Sequence, residues 1–258
     1  SKEYNSGARD IDDDEWADIR NLYDAEIAHI DDQLGRLFDW LRETGRWDDT
    51  MVVVCADHGE LHGEHDLYGH EFCIYDPLVN VPLLVKDPEL EPGRDEEQVE
   101  LVDLYHTVLD AAGVEGLGEA LDPKRSLRAP EAEHRAFDAG EFAFVEYHRP
   151  VVELKQLESK ANAAGITLEE DSRFYSRMRA ARRPDAKYVR IDRIPDEAYR
   201  LDSDPGETEN VADADDPAIE ATDETLAAFE SAVGGAWTDA LDDDVSDDAV
   251  EEMDEEAQ

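Results

Sequence analysis

The chain has 258 residues, of which 41% are hydrophobic, enough for one large core or one core with a small additional domain. Its 69 acidic residues outnumber its 24 basic ones, which gives a formal net charge of −45. So negative a chain repels nucleic acid and anionic membranes, and both classes of partner are excluded. No apolar run approaches the roughly 20 residues that a membrane-spanning helix needs. Two cysteines are too few for a disulfide framework.

The acidic composition indicates a protein of a high-salt cytoplasm. Short carboxylates keep the surface hydrated, and at about 1 M salt their mutual repulsion is screened within about 3 Å. No signal peptide is recognisable. We therefore expect a cytoplasmic location and leave export open, because the sequence starts at Ser1 without a methionine.

The first predicted elements are a helix and a strand. Carboxylates at positions 10–18 suit a helix N-terminus, and apolar residues then recur at helical spacing from Ile19 to Leu41. Gly45 predicts the C-terminal end of this helix. The apolar run of residues 51–56 predicts a strand buried on both faces of a parallel sheet, with Cys55 as a small buried hydrophobe.

The later elements indicate a second subdomain. A short strand is predicted at 81–85 and a helix at 101–112, followed by a loop over 113–130. Four strands at 142–147, 177–183, 187–194 and 198–201 have short connections typical of an antiparallel sheet, with helices at 152–164 and 218–232. We predict an α/β core part at 1–128, a smaller α+β subdomain at 129–238 and a disordered tail at 239–258, where 11 residues are acidic and none basic.

The sequence Asp57-His58-Gly59 directly follows the first strand. Ligands of open α/β sheets bind outside the carboxyl ends of the strands, so a carboxylate and an imidazole there make a natural pair of metal ligands. We expect Gly59 to let the backbone turn sharply. The simpler interpretation is that Asp57 caps a turn and His58 is a surface imidazole.

Residues 23 to 84 resemble the C-terminal half of the sulfatase family, within the alkaline-phosphatase-like superfamily. The matching segments are Tyr23-Asp24-Ala25-Glu26-Ile27, Ala56-Asp57-His58-Gly59-Glu60, Gly63-Glu64-His65, Tyr68-Gly69-His70 and Val81-Pro82-Leu83-Leu84-Val85. Downstream, Lys187-Tyr188-Val189 and the run from Tyr199 to Asn210 also fit. The resemblance implies an α/β alkaline-phosphatase-like fold with a parallel or mixed sheet flanked by helices, present here in part, and a smaller C-terminal antiparallel α+β subdomain.

In the family, a cysteine or serine converted to formylglycine attacks the sulfate ester, and a divalent cation holds the nucleophile and the sulfate oxygens. Asp57 and His58 match one pair of metal ligands. Calcium is the first expectation, with Mn²⁺, Mg²⁺ or Zn²⁺ as alternatives, because imidazole suits manganese and zinc better than calcium. The nucleophile motif, Cys/Ser-x-Pro/Ala-x-Arg, and the N-terminal acidic ligands are absent from the sequence. We therefore expect a C-terminal portion that is inactive alone and whose partner is the missing N-terminal half.

His70 stands where many sulfatases carry a sulfate-contacting lysine, so the resemblance implies a sulfate contact or a general acid there. The alternative is a hydrogen-bonded turn residue. For His62 and His65, a position in a solvated loop explains their presence at least as well as a role in the site does. Other weaker candidates are Glu60 and Glu64, as carboxylates that orient an imidazole, and Arg149, Arg182 and Arg183, as anion contacts.

Three functions stay open at this point. The first is a sulfuric ester hydrolase acting on a sulfate-ester small molecule or carbohydrate. The second is a phosphodiesterase, phosphonate hydrolase or phosphoethanolamine-type transferase of the same superfamily. The third is a truncated, inactive binding or assembly module. Which sulfate ester is used, and the oligomeric state, do not follow from the sequence.

Overall fold

The structure, a computed structural model, describes residues 1–114, 122–129 and 142–234. The helices are α1 (Lys2–Asn5), α2 (Asp13–Glu43), α3 (Asp76–Val79), α4 (Leu101–Ala111), α5 (Val151–Ala163) and α6 (Pro217–Ala232). The strands are β1 (Val52–Cys55), β2 (Leu61–His62), β3 (Tyr68–Gly69), β4 (Leu83–Lys86), β5 (Ala143–Tyr147), β6 (Met178–Arg183), β7 (Ala186–Ile191) and β8 (Glu197–Tyr199). Short 3-10 helices lie at Glu64–Asp66, Pro123–Arg125 and Arg173–Tyr175. None of the described helices is long and apolar enough to cross a membrane.

The chain divides into two compact units. Of the described residues, unit 1 contains 1–10, 64–75 and 144–234, and unit 2 contains 11–63, 76–114, 122–129 and 142–143. Two short N-terminal segments thus belong with the C-terminal part of the chain. The predicted tail at 239–258 lies outside the described residues.

Helix α2 is the longest element of unit 2, and its ends follow from its sequence. The Glu15 backbone N–H donates to the Asp12 carboxylate at 2.9 Å, and the Asp12 N–H donates to the Glu15 carboxylate at 3.3 Å. This reciprocal capping box satisfies two of the N–H groups that a helix start leaves without an internal partner. The helix ends at Glu43 with Thr44 as its C-terminal cap, and Gly45 follows with a φ of +68°, as the glycine signal predicted.

Strand β1 differs from its prediction. It pairs antiparallel with β4, with Val54 opposite Leu84 and Cys55 opposite Leu83. Within the described residues this sheet has two strands, and β1 is half-buried instead of buried. The prediction of a buried Cys55 is therefore wrong, since its side chain is exposed.

The loop that enters β1 is held by Lys86 of β4. The Lys86 ammonium donates to the carbonyl oxygens of Asp48, at 3.2 Å, and Thr50, at 2.9 Å, and also to that of Trp47. It lies 5.3 Å from the centre of the Trp47 ring, within cation–π range. One cation thus satisfies three carbonyl groups and fixes where β1 begins.

Ion pairs join the segment after α4 to that helix. Arg125 donates to the carboxylates of Asp103 and Glu100, each at 2.7 Å. The predicted loop over 113–130 therefore includes a 3-10 turn at Pro123–Arg125, while residues 115–121 and 130 lie outside the described residues.

Unit 1 is built on a sheet of order β5-β6-β7-β8. Strands β6 and β7 pair antiparallel, as do β7 and β8, which confirms the predicted antiparallel pairing of these strands. Its core includes two apolar clusters of described residues. One contains Phe72, Leu154 and Leu157 and the other Ala186, Ala198 and Ile219.

Candidate metal centre

The loop after β1 passes very close to the backbone before α3. The Gly59 N–H donates to the Leu78 carbonyl at 2.8 Å, and a Cβ on Gly59 would lie only 1.9 Å from the Pro77 carbonyl oxygen. Gly59 does not have a positive φ. Glycine is therefore required here because no side chain fits, whereas the sharp turn expected from the sequence is not the reason.

Asp57 and His58 lie side by side. The His58 backbone N–H donates to Asp57 Oδ1 at 3.0 Å, and His58 Nε2 is 3.8 Å from Asp57 Oδ2. His58 Nδ1 is 2.8 Å from the Gly59 carbonyl oxygen. Because a carbonyl oxygen only accepts, Nδ1 carries the proton in this hydrogen bond, and Nε2 is the lone-pair nitrogen of the neutral ring.

This geometry suits a shared cation. Ligand atoms bind divalent metals at about 2.0–2.6 Å, so a carboxylate oxygen and an imidazole nitrogen 3.8 Å apart can reach one ion. A ligand atom of Glu60 also lies within 4.8 Å of one of His58, which makes Glu60 a further candidate. A ring N–H bonded to a carbonyl is the usual arrangement of a metal-ligating histidine. The donor set present thus fits a divalent cation.

The pair is open to solvent. The Asp57 side chain is 89% exposed and that of His58 45% exposed. Calcium takes six to eight ligands and magnesium six, so an ion held here needs several more donors than these side chains supply. The assignment of Asp57 and His58 as metal ligands stays a prediction that this geometry supports.

The other histidines of the loop lie in different surroundings. His62 packs edge-on against the Tyr23 ring, with ring centres 5.0 Å apart. His65 has a φ of +55° and stacks on the Tyr75 ring at 3.6 Å. Burial, with a further contribution from the Arg173 charge, lowers the pKa of His65. His70 is exposed directly after β3, and its functional role stays a prediction. The same holds for Glu64, which is also exposed.

The arginine candidates are weaker. Arg183 pairs with Asp185 at 2.6 Å, so a neighbouring carboxylate balances its charge. Arg149 and Arg182 stay predictions.

A polar network in unit 1 did not follow from the sequence analysis. Arg173 donates to the Tyr75 hydroxyl and to the Glu197 carboxylate, both at 2.6 Å. The hydroxyls of Tyr75 and Tyr199 donate to the same carboxylate at 3.1 and 2.9 Å. Burial, together with the Glu197 charge, raises the pKa of Tyr199, so that the phenol keeps its proton. The sequence showed only that Tyr75 and Tyr199 lie in segments that resemble sulfatases. It did not show which side chains they would contact.

A second missed feature is a fully buried ion pair. The Lys187 ammonium lies 2.8 Å from the Glu207 carboxylate, and both side chains have zero exposure. Lys187 also donates to the Ile74 carbonyl at 2.6 Å. Both residues fall inside the segments that resemble sulfatases, but spacing alone could not show that they meet.

Comparison with known proteins agrees with the resemblance. Residues 1–114 match the family model for sulfatases. The chain is 32% identical over 229 residues to the multifunctional alkaline phosphatase superfamily protein PehA of Trinickia caryophylli, covering 84% of this chain and 40% of that protein. It is 31% identical over 204 residues to arylsulfatase K of Xenopus laevis, covering 77% of this chain and 34% of that protein.

Among solved structures, phosphonate monoester hydrolase of Agrobacterium radiobacter superposes with a TM-score of 0.62 at 26% identity, covering 84% of this chain and 42% of that one. The fold is thus that of the alkaline-phosphatase-like hydrolases. Within this superfamily, the chain belongs to the sulfatase family. It spans 40% of the length of PehA and 34% of that of arylsulfatase K.

Proposed function

We propose that this chain is the C-terminal part of a metal-dependent sulfuric ester hydrolase. The observation that carries the proposal is the Asp57–His58 pair, whose ligand atoms lie 3.8 Å apart at the end of β1 in a chain of the sulfatase family. The substrate is a sulfate-ester small molecule or carbohydrate. We place the protein in a high-salt cytoplasm, in line with its net charge of −45.

Asp57 Oδ2 and His58 Nε2 would hold the cation. A cation held there would supply positive charge to stabilise the sulfate oxygens during cleavage of the ester. The Gly59 carbonyl orients the His58 ring by accepting from Nδ1, and the close approach to Pro77 keeps that carbonyl in place. Calcium is the first choice from the family, and Mn²⁺, Mg²⁺ or Zn²⁺ are the alternatives.

His70 would contact the sulfate or donate a proton to the leaving alkoxide. Its position matches a sulfate-contacting lysine of the family, and a histidine titrates near neutrality when its surroundings tune it. The nucleophile would come from the upstream half, defined here as the polypeptide encoded directly before Ser1. In its absence, we expect this chain to be inactive.

The second candidate is a phosphonate or phosphodiester hydrolase of the same superfamily. The observation that favours it is the similarity to two proteins. PehA is named as an alkaline phosphatase superfamily protein, and the solved structure is named as a phosphonate monoester hydrolase. The third hypothesis is an inactive binding or assembly module, and no specific observation favours it.

The test is hydrolysis by the chain joined to its upstream half, in about 2 M KCl with calcium or manganese. We expect turnover of 4-nitrophenyl sulfate, and a loss of at least about 100-fold in Asp57→Ala. The control is Asp32→Ala, which removes an exposed carboxylate of α2 and should leave turnover unchanged.

Unchanged turnover in Asp57→Ala would remove the ligand assignment. Faster hydrolysis of 4-nitrophenyl phenylphosphonate than of 4-nitrophenyl sulfate would favour the second candidate. A genome without a coding sequence for an upstream half would contradict the proposal of a divided enzyme.

A further inference from the structure

The segment of residues 64–75, which carries His70 and is called the His70 loop below, has an unusual backbone. Of the four non-glycine residues with a positive φ in the described part of the chain, three lie in this loop. They are His65 at +55°, Asp66 at +58° and Phe72 at +70°. Such conformations cost free energy in residues with bulky side chains, so they persist only where the surrounding structure holds them, and they are frequent at functional sites.

Asn5 of α1 holds the backbone of the His70 loop two positions before His70. Its Nδ2 donates to the Tyr68 carbonyl oxygen at 2.9 Å, and its Oδ1 accepts from the Tyr68 N–H at 2.8 Å. Asn5 is itself only 8% exposed. Because a side-chain amide offers a donor and an acceptor as a peptide group does, Asn5 pairs with Tyr68 as a neighbouring strand would.

Helix α1 also contacts the loop directly around His70. Gly69 has a φ of +104°, and an added Cβ there would lie 3.3 Å from the Cβ of Ser1 and 2.7 Å from a carboxylate oxygen of Glu71. Lys2 forms an ion pair with Glu71, and the two side chains are 14% and 13% exposed. Helix α1 packs in turn against α5. The segment around α1 thus contacts the loop immediately before and immediately after His70.

The loop is held after His70 as well. The Phe72 N–H donates to the Tyr147 hydroxyl at 2.8 Å, and Lys187 donates to the Ile74 carbonyl at 2.6 Å. The Phe72 side chain is fully buried in one of the apolar clusters of unit 1. All of these partners belong to unit 1, as does His70. The backbone is therefore fixed within two residues on both sides of His70, whose own side chain is exposed.

We propose that Asn5 is a positioning residue of the enzyme, which sets where the His70 imidazole is presented to the ester. This inference rests on the proposed function of His70. A group that contacts the sulfate or protonates the leaving alkoxide must be held closely, since a misplacement of about 1 Å can cost about 100-fold in rate. Asn5 contacts the Tyr68 backbone, so it acts on turnover through His70. Without this contact, the left-handed residues of the loop relax and the His70 backbone moves with them.

Two substitutions of Asn5 separate its hydrogen bonds from its packing. Asn5→Ala deprives both Tyr68 backbone groups of their partner. Asn5→Asp keeps the shape of the side chain but replaces the donor to the Tyr68 carbonyl by an acceptor. At pH 8, far above the ordinary aspartate pKa of about 3.9, that acceptor is a carboxylate.

The experiment measures turnover by the chain joined to its upstream half, at pH 8 in about 2 M KCl with calcium. The substrates are 4-nitrophenyl sulfate and 4-nitrophenyl phenylphosphonate. We expect kcat on the faster substrate to fall at least about tenfold in both Asn5→Ala and Asn5→Asp. The calcium concentration that gives half the maximal rate should change less than about twofold, because neither substitution alters Asp57 or His58.

The matched control is Ser6→Ala, in the residue next to Asn5. It removes a buried hydroxyl that donates to the Glu3 carbonyl at 3.2 Å, a hydrogen bond within the same N-terminal segment. The loss of a buried hydrogen bond is thus matched, whereas the contact with the His70 loop is kept. We expect kcat to change less than about twofold.

A double-mutant cycle with His70→Ala distinguishes positioning from a general structural role. Damage to the fold would lower kcat by the same factor whether or not His70 is present, whereas a residue that acts through His70 has nothing to position once that imidazole is removed. We therefore expect Asn5→Ala to change kcat less than about twofold in the His70→Ala protein.

Amide hydrogen exchange of the joined protein gives a readout that does not depend on turnover. In Asn5→Ala we expect the amides of Tyr68 and Phe72 to exchange at least about tenfold faster, because both belong to the backbone that Asn5 holds. The amides of β6 and β7 should change less than about twofold.

Four results would overturn the inference. They are a kcat that Asn5→Ala or Asn5→Asp leaves unchanged, an equal effect of Asn5→Ala with and without His70, a kcat that His70→Ala leaves unchanged, and unchanged exchange at Tyr68 and Phe72. A joined protein that hydrolyses neither ester would overturn both this inference and the proposed function.

The two proposals otherwise fail separately. Hydrolysis of the phosphonate alone, with the expected coupling between Asn5 and His70, would remove the proposed sulfatase function and leave the positioning role standing. An active sulfatase without that coupling would do the reverse.

Discussion

The buried ion pair of Lys187 and Glu207 gives the sharpest prediction about stability. Removing one partner of a fully buried pair leaves the other charge without compensation and typically costs about 3–5 kcal/mol. In Lys187→Met the Ile74 carbonyl also loses its donor at 2.6 Å. We therefore expect the free energy of unfolding to fall by about 3–5 kcal/mol and the melting temperature by roughly 6–20 °C.

The double variant Lys187→Met/Glu207→Leu separates the charge effect from packing. Replacing both partners by apolar side chains removes the uncompensated carboxylate, so at least half of the lost stability should return. The control is Lys160→Met, which breaks a pair with Glu3 at 3.1 Å whose side chains are both 51% exposed. That change should cost less than about 1 kcal/mol.

The assay is urea unfolding followed by circular dichroism, at fixed KCl. A loss below about 1 kcal/mol in Lys187→Met would refute the reasoning, since it would mean that Glu207 finds water or another partner. The reasoning would also be refuted if the loss of unfolding free energy in the double variant equalled the sum of the losses in the two single variants.

Three further predictions concern the site loop, His65 and salt. Gly59→Ala would place a Cβ 1.9 Å from the Pro77 carbonyl oxygen, so we expect the free energy of unfolding in urea to fall by at least about 2 kcal/mol. The control is Gly35→Ala in α2, which has open space around it and should raise that free energy by about 0.5–1 kcal/mol. His65 has a lowered pKa, so its unfolded form binds more protons below the ordinary value of 6.5. The contribution of His65 to stability should thus be lost as the pH drops below about 6.5 and stay level above it. His65→Phe keeps an aromatic ring on Tyr75 and should reduce the dependence of the unfolding free energy on pH. An equal pH dependence in both proteins would argue against a lowered pKa of His65. The melting temperature should rise from low to molar KCl, since salt screens a net charge of −45, and a flat or falling curve would contradict the high-salt interpretation.

Local signals predicted most of the elements. The helical spacing from Ile19 to Leu41 and the glycine at position 45 predicted α2 and its end, because helix periodicity and C-terminal caps depend on neighbours in sequence. The short connections after residue 142 likewise predicted the antiparallel sheet, since such strands need only turns between them.

The environment of β1 was not predictable in the same way. An apolar run has the same sequence whether or not a second layer covers it, so the burial of Cys55 depended on chain segments that the run cannot specify. The role of Gly59 depended equally on Pro77, which approaches it from 18 positions further along the chain.

For the candidate metal centre, the sequence by itself determined the residue types, a carboxylate and an imidazole next to each other at the end of a strand. The tertiary structure decided their geometry, with 3.8 Å between ligand atoms and a ring whose proton faces the Gly59 carbonyl. It also decided that Asn5 holds the Tyr68 backbone and that Lys187 meets Glu207. The physical reason is that periodicity and caps act over a few residues, whereas burial, hydrogen-bond partners and exposed faces depend on segments that are far apart in the chain.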